Sequence, residues 1–447
     1  MNAFKAYDIR GVYQKDFNLA DVYKIGFFLP QLLNATKVLV GRDIRLSSDE
    51  IFNALASGIT DAGADVFDAG LTTTPMVYWA TAKFEFTASV QITASHNPAE
   101  YNGMKISRQG ALPVGYDTGL KDLEDMVKCA EVYPASEKGM IHRFEFQNDY
   151  LAFISQYRRD FSNLRIAVDC SNGMASLFAR EILGKDAVYI FDTPDGRFPN
   201  HAPNPLEIEN VHDLMRTVTS QHCDLGIIFD GDADRVMFVD ETGSFIRPDI
   251  MIGMLGLYFA KQSDLGNVVM DIRSSKGVED YLGRLGFRCH LWKVGRAFAA
   301  LKLRDVGAVF GGELAGHYYF RDFYYSDSAF LAVMLLLQVI SDARKEGIAL
   351  SELVRLVAGP WYNSGEINFK SQNKKQAMEV LVEHYSGIEA PAVMLDFDGY
   401  RLEFKHWWFN VRPSNTESYL RLLIEADSET ILKEKTEEIT EIIMRIG

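Results

Sequence analysis

Val38-Leu39-Val40-Gly41-Arg42-Asp43 decides the fold once its surroundings are read with it. A helical pattern follows Ser47-Ser48, and past Gly63 a second apolar run begins at Asp65-Val66-Phe67. Apolar run, polar turn, amphipathic helix and second apolar run, in that order, are what parallel strands with a covering helix require. The order recurs from Ile166-Ala167-Val168 through Asp169-Cys170-Ser171-Asn172-Gly173 and a helix to Ala187-Val188-Tyr189-Ile190. It recurs again from Val268-Val269-Met270 through Asp271-Ile272-Arg273-Ser274-Ser275 to Gly286 and Phe287-Arg288-Cys289. The economical reading is an α/β protein with three similar αβ domains and mixed, mostly parallel sheets.

After Gly359-Pro360 the text changes. Asn363-Ser364-Gly365 breaks the chain, then a helix, an aromatic strand around Trp407-Trp408-Phe409 and a charged closing helix from about Ser428 suggest a smaller C-terminal α+β domain. The expected limits are 1-147, 148-249, 250-362 and 363-447, in keeping with a 447-residue chain too long for one core. The proline-punctuated run Asn200-His201-Ala202-Pro203-Asn204-Pro205 is expected to stay irregular.

With 46 Lys and Arg against 61 Asp and Glu the formal charge is −15, so the global field repels nucleic acid and anionic membranes. An anionic substrate must be held by a local cluster of cations. The four cysteines, Cys129, Cys170, Cys223 and Cys289, show neither CxxC spacing nor disulfide-rich density, and a reduced cytoplasmic protein fits them. No cationic, apolar leader opens the chain, and charge or glycine interrupts every apolar stretch before spanning length, so neither secretion nor membrane insertion is expected.

Four loops carry the chemistry. Thr93-Ala94-Ser95-His96-Asn97-Pro98 follows an apolar segment and offers a reactive hydroxyl, or merely a helix N-cap. Gly103 and Lys105 come next, suited to close backbone approach and to an ammonium beside a phosphate. In Phe229-Asp230-Gly231-Asp232-Ala233-Asp234-Arg235, three alternate carboxylates can point at one hard cation such as Mg²⁺. An EF-hand is disfavoured because Arg235 stands where its glycine belongs, and an acidic surface turn is the bland alternative. Arg412-Pro413-Ser414-Asn415-Thr416-Glu417-Ser418 offers a guanidinium fork and hydroxyls for a phosphate monoester, or simply a capped turn. Gly311-Gly312-Glu313-Leu314-Ala315-Gly316-His317 supplies a carboxylate and an imidazole suited to sugar hydroxyls and proton relay. Tyr7-Asp8-Ile9-Arg10-Gly11 places an arginine at a bend near the start.

The order of these motifs, TASHNP, DGDADR, GGELAGH and RPSNTE, resembles the α-D-phosphohexomutases, on their bacterial phosphomannomutase/phosphoglucomutase branch. The resemblance covers nearly the whole chain. It implies four domains around a central cleft, each giving one loop, with Ser95 carrying a phosphoryl group and Mg²⁺ held by that phosphate, Asp230, Asp232 and Asp234. It further implies conversion of hexose 1-phosphate to hexose 6-phosphate through a hexose 1,6-bisphosphate, which also serves as activator. Arg412, Ser414, Asn415 and Thr416 would anchor the phosphate that is not being transferred, and Glu313 the ring hydroxyls. Arg10, Lys105, Arg235 and His317 would surround the reacting phosphate, with Lys105 or His317 moving the proton. Arg273 matches a position where relatives carry a basic residue. The expected partner is a small sugar phosphate, and the expected state a monomer or homodimer.

Two positions depart from the family pattern. Ala315 stands where most relatives have serine, removing a hydroxyl that could bond the sugar. After Lys293-Val294-Gly295, Arg296 replaces a histidine, so it is expected to bind phosphate but not to relay protons. Phosphoglucosamine mutase is the nearest alternative activity. A metal-dependent sugar-phosphate phosphohydrolase and a non-catalytic sugar-phosphate binder are the alternatives from other classes.

Overall fold

The computed structural model describes residues 2–414 and 419–446. Strands Lys37–Arg42, Asp65–Leu71 and Ala88–Ile92 run parallel, and Tyr101–Arg108 returns antiparallel beside the last of them. Ile166–Asp169, Val188–Ile190 and Leu225–Phe229 repeat the arrangement, with Val236–Asp240 returning. So do Asn267–Asp271, Arg288–Trp292 and Phe310–Gly312, with Tyr318–Phe320 returning. In all three sheets the first of these strands lies between the second and third, and the antiparallel strand flanks the third. The serine loop, the metal loop and the sugar loop therefore occupy one topological position three times over, the turn that leaves the C-terminal end of the third parallel strand. Open α/β sheets bind ligands at that end.

The second copy differs in its helix. Gly173 and Gly184 bracket only ten residues, which form a 3₁₀ turn, Met174–Leu177, and a short helix, Ala179–Leu183. The third copy carries the long buried helix Ala329–Lys345, whose unbroken run from Ala329 to Leu337 lies wholly inside the largest core. Ser328 caps it by accepting from the backbone N–H of Leu331 at 3.3 Å. The residues 199–206 are irregular, as their prolines require.

The fourth unit is an antiparallel sheet of Tyr362–Asn363, Ile367–Lys370, Val393–Leu395, Tyr400–Glu403, Trp407–Pro413 and Tyr419–Ala426. Helices Lys374–Ile388 and Glu429–Ile446 close a core around Tyr385, Trp407 and Phe409. The wholly buried Arg401 seats this unit on the third, donating at 2.7 Å to the carbonyls of Ile272 and Ser274. No described helix is long and apolar enough to cross a membrane.

Two local expectations are corrected. Arg10 lies inside the strand Ile9–Val12, not at a bend, because its neighbours pair in register with Tyr101–Arg108. Gly103 serves that same pairing and not a ligand: a Cβ there would stand 2.0 Å from the carbonyl oxygen of Ile9.

Candidate active site

Ser95 is buried, and its backbone takes the left-handed φ of 52°, uncommon for a residue with a side chain. The chain that follows enters a strand, so Ser95 caps no helix. The loop is held by Arg45, itself only 2% exposed. Its guanidinium donates to the carbonyls of Ser95 (2.8 Å), Asn97 (2.6 Å), Pro98 (2.6 Å) and Tyr101 (3.0 Å), and to Asp43 Oδ2 (3.1 Å). All five N–H groups of the arginine are thereby used. The Ser95 N–H donates to Thr93 Oγ1 at 2.9 Å, leaving the Ser95 hydroxyl to donate to Asp230 Oδ2 at 2.8 Å. Gly231 permits this approach of two loops, since a Cβ there would fall 2.5 Å from the Ser95 carbonyl oxygen.

Asp230, Asp232 and Asp234 are all buried, with ligand oxygens within 4.8 Å of one another. Burial, then Asp234 and Asp232, push the Asp230 carboxyl well above the usual range. Burial also acts to raise Asp234, but Lys105 and His317 outweigh it and hold that carboxyl below its ordinary value. Lys105 Nζ donates to Asp232 Oδ2 at 2.7 Å and to Asp234 Oδ2. Burial opposes the charge of Lys105, yet the two aspartates overcome it and raise its pKa. Thr74 Oγ1 donates to Asp232 Oδ2 as well. After these bonds, Asp232 Oδ1 and Asp234 Oδ1 remain buried without a hydrogen-bond partner. A trio of buried carboxylates with two orphaned oxygens is a donor set that fits a hard divalent cation.

Cations ring this centre. Arg10 Nη1 donates to Asn97 Oδ1 at 2.9 Å. Arg235 Nε lies 3.9 Å from Asp230 Oδ2 and 4.0 Å from Asp234 Oδ1, and donates to His317 Nε2 at 3.0 Å. On the other side of that ring, His317 Nδ1 meets Asp327 Oδ2 at 2.7 Å. Burial, then Arg235, Arg10, Lys105 and His317, depress the His96 imidazole far below its usual value. Ser95, the three aspartates, Lys105, Arg10, Arg235 and His317 thus form one connected neighbourhood.

The remaining candidates stand around it. Glu313 is buried, accepts from the Tyr319 hydroxyl at 2.6 Å, and is pushed above the usual carboxylate range first by that burial. Its loop is tied down by the Leu314 N–H, which donates to Asp271 Oδ2 at 2.7 Å. Arg273 is bonded to Asp271 (2.8 Å) and to Glu366 (3.1 Å) of the fourth unit. Arg296 is engaged by Asp327 Oδ1 (3.1 Å), by the Ala111 carbonyl (3.3 Å) and by the Tyr78 ring, 3.4 Å beneath its guanidinium. Arg412 belongs to a different neighbourhood: it is buried and donates to Asp398 Oδ1 at 3.3 Å, while the Val294 N–H donates to Asp398 Oδ2 at 2.8 Å. Ser414 directly follows the strand Trp407–Pro413 and its N–H donates to the Tyr419 carbonyl at 2.9 Å. Asn415 and Thr416 lie outside the described residues.

Arg45, Thr74 and Asp327 are supporting residues outside the motifs, and Asn97 is a supporting residue within the serine motif. A signal existed for Arg45, because Asp43-Ile44-Arg45 repeats the spacing of Asp271-Ile272-Arg273 in the equivalent turn. In both turns the arginine N–H donates to the aspartate two residues earlier, at 3.0 and 2.8 Å.

Family descriptions of phosphoglucomutase/phosphomannomutase alpha/beta/alpha domains I, II and III and of the C-terminal domain match residues 1–131, 148–243, 247–358 and 366–442. A phosphomannomutase of Methanocaldococcus jannaschii is 36% identical, covering 99% of this chain and 98% of its own. One of Escherichia coli K12 is 35% identical, with 97% of each chain covered. Among solved structures, a phosphoglucomutase/phosphomannomutase family protein of Burkholderia thailandensis superposes with a TM-score of 0.86 at 25% identity, covering 100% of this chain and 97% of its own. The open form of a Paramecium phosphoglucomutase, parafusin, shares the fold with a TM-score of 0.79 at 15% identity, covering 96% and 92%.

Proposed function

This chain belongs to the phosphoglucomutase/phosphomannomutase family, and we propose that Ser95 carries the phosphoryl group by which it interconverts hexose 1-phosphate and hexose 6-phosphate. The enzyme is a phosphohexomutase, an isomerase that works by phosphoryl transfer. The observation that carries the assignment of Ser95 is its buried hydroxyl, 2.8 Å from Asp230 in a carboxylate trio with two unpartnered oxygens. A surface turn or an N-cap has no use for such surroundings.

The sugar hydroxyl attacks the phosphorus on Ser95, forming the new O–P bond as the Ser95 Oγ–P bond breaks. His317 Nε2 takes the proton of that hydroxyl once Arg235 turns from the imidazole to the phosphate, and Ser95 Oγ takes a proton from Lys105. The resulting hexose 1,6-bisphosphate reorients and returns its other phosphoryl group to Ser95, with both proton transfers reversed. Asp230, Asp232, Asp234 and the Ser95 phosphate would hold a metal, which we assign as Mg²⁺ and which, when bound, neutralises the phosphoryl oxygens during transfer. Arg10 and Arg235 orient the reacting phosphate, and Glu313 the sugar hydroxyls. Arg412 and Ser414, with Asn415, Thr416 and Arg273, hold the other phosphate. These loops are assigned to four domains around the cleft, close to the limits expected from the sequence but with the helix Pro248–Lys261 kept whole in the third and the strand Tyr362–Asn363 kept whole in the fourth. We assign the enzyme to the cytoplasm, as a monomer or homodimer.

Mannose, glucose and glucosamine 1-phosphates, each supplied with Mg²⁺ and its 1,6-bisphosphate, test this reading when 6-phosphate and free phosphate are followed together. Isomer without phosphate release is expected, with mannose or glucose preferred. Phosphate release without isomer would make the protein a hydrolase.

A further inference from the structure

Asp327 is wholly buried and divides its two oxygens between two side chains of the site. Oδ2 faces His317 Nδ1 at 2.7 Å, and Oδ1 accepts from Arg296 Nε at 3.1 Å. Its backbone has little freedom, since it pairs with Tyr319 in the strand Ser326–Asp327 and directly precedes Ser328, the cap of a buried helix. Arg296 is fixed as firmly, by the Tyr78 ring and the Ala111 carbonyl. On the far side of the imidazole, Arg235 donates to Nε2. A guanidinium only donates, so Nε2 carries the lone pair and Nδ1 the hydrogen. The opposite tautomer would set an N–H against Arg235 and a lone pair against a carboxylate. Asp234 Oδ1 also lies near this edge, 3.9 Å from Nδ1.

We infer that Asp327, clamped by Arg296, is a positioning residue that holds His317 with its hydrogen on Nδ1 and so presents Nε2 to the attacking sugar hydroxyl. This rests on the mutase reading above. The proton passes from the hydroxyl to Nε2, the Nδ1 hydrogen stays where it is, and Asp327 remains a carboxylate that stabilises the imidazolium until the proton returns to a sugar oxygen in the second transfer. The arginine at the position where relatives often have histidine thereby acquires a role. Its permanent charge steadies Asp327 instead of relaying a proton.

Parent enzyme assayed first separates this inference from its premise, because a parent without isomer formation refutes the mutase reading itself. In an active parent, Asp327→Asn is expected to lower kcat about 100-fold, with KM for hexose 1-phosphate and half-saturation by Mg²⁺ each within about twofold of the parent. His317→Ala should lose at least as much, and the double variant no more than His317→Ala alone, because Asp327 acts through His317. Multiplying losses in the double variant, full kcat in either single variant, or a loss that appears chiefly in KM or Mg²⁺ would overturn the inference. Should Asp327→Asn fail to fold, Arg296→Gln leaves the carboxylate in place and is expected to lower kcat about fivefold at constant KM. A raised KM with constant kcat would make Arg296 a phosphate ligand and remove the clamp.

Discussion

Replacing Arg45 with lysine should loosen the loop that carries Ser95 while keeping the charge. The guanidinium makes five bonds, four of them to carbonyls of residues 95–101 and one to Asp43. An ammonium has three donors on a single nitrogen, so at least two of those acceptors lose their partner in a region closed to water. At about 1–3 kcal/mol for each buried unsatisfied acceptor, the cost is about 2–6 kcal/mol. Much of it can be avoided by local opening of the loop, which would expose Ser95 and separate it from Asp230. The variant should therefore lose kcat by about 10-fold or more, as misplacement of a reacting group does, and show faster amide hydrogen exchange confined to residues 93–102. Initial-rate mutase assays and peptide-resolved exchange measure the two effects. An Arg45→Lys protein with parental kcat and parental exchange over that segment would refute the claim that the arginine shapes the serine loop.

Asp232→Asn should raise the Mg²⁺ concentration for half-maximal activity about 10-fold or more, because a buried carboxylate with a free oxygen is lost; unchanged metal titration would remove Asp232 from the ligand set. Arg412→Lys should raise KM about 10-fold with a smaller change in kcat, as a forked contact becomes a point charge, and an unchanged KM would take Arg412 out of the phosphate site. His201 gives a pH dependence. Burial acts to lower its pKa, but Asp169, with Oδ2 3.2 Å away, outweighs burial and raises it. The native state binds this proton more tightly than the unfolded chain, so its stabilisation is full below about pH 6.5 and is lost as pH rises through the raised native value. Asp169 is itself pushed up by burial, which acts in the same sense at lower pH. The melting temperature should fall between pH 6 and pH 8, and fall less in His201→Asn; equal falls would contradict the assignment.

The three αβ units were legible because their strands are short apolar runs ended by polar turns, and each first strand ends in an aspartate: Asp43 just beyond it, Asp169 and Asp271 within it. Of the candidate site, the serine, metal and sugar loops were legible, since each concentrates unusual residue types within a few positions, whereas Arg412 of the fourth loop stands in a different neighbourhood. The supports of the site were not legible. Arg45 meets the serine loop across about fifty positions and Thr74 meets Asp232 across 158, so only the folded chain brings them together. Asp327 lies in a stretch, Tyr325-Ser326-Asp327-Ser328, with nothing local to mark it as the partner of His317 and Arg296. The N-cap alternative for Ser95 arose because a polar turn before an apolar run leaves helix and strand open. Here the partner strand Ile9–Val12, far away in sequence, decides for strand. Gly103 is illegible locally for the same reason, since its close neighbour is that strand's backbone.

The central claim is that Ser95 accepts and returns the phosphoryl group. Treating the enzyme with Mg²⁺ and a hexose 1,6-bisphosphate, then locating and counting phosphate by peptide mass spectrometry, tests it most directly. The account predicts up to one phosphate per chain, on Ser95, that is transferred to added hexose 1-phosphate and is missing, along with turnover, from a folded Ser95→Ala protein. Mutase activity retained in Ser95→Ala, or a transferable phosphate on another residue, would contradict it.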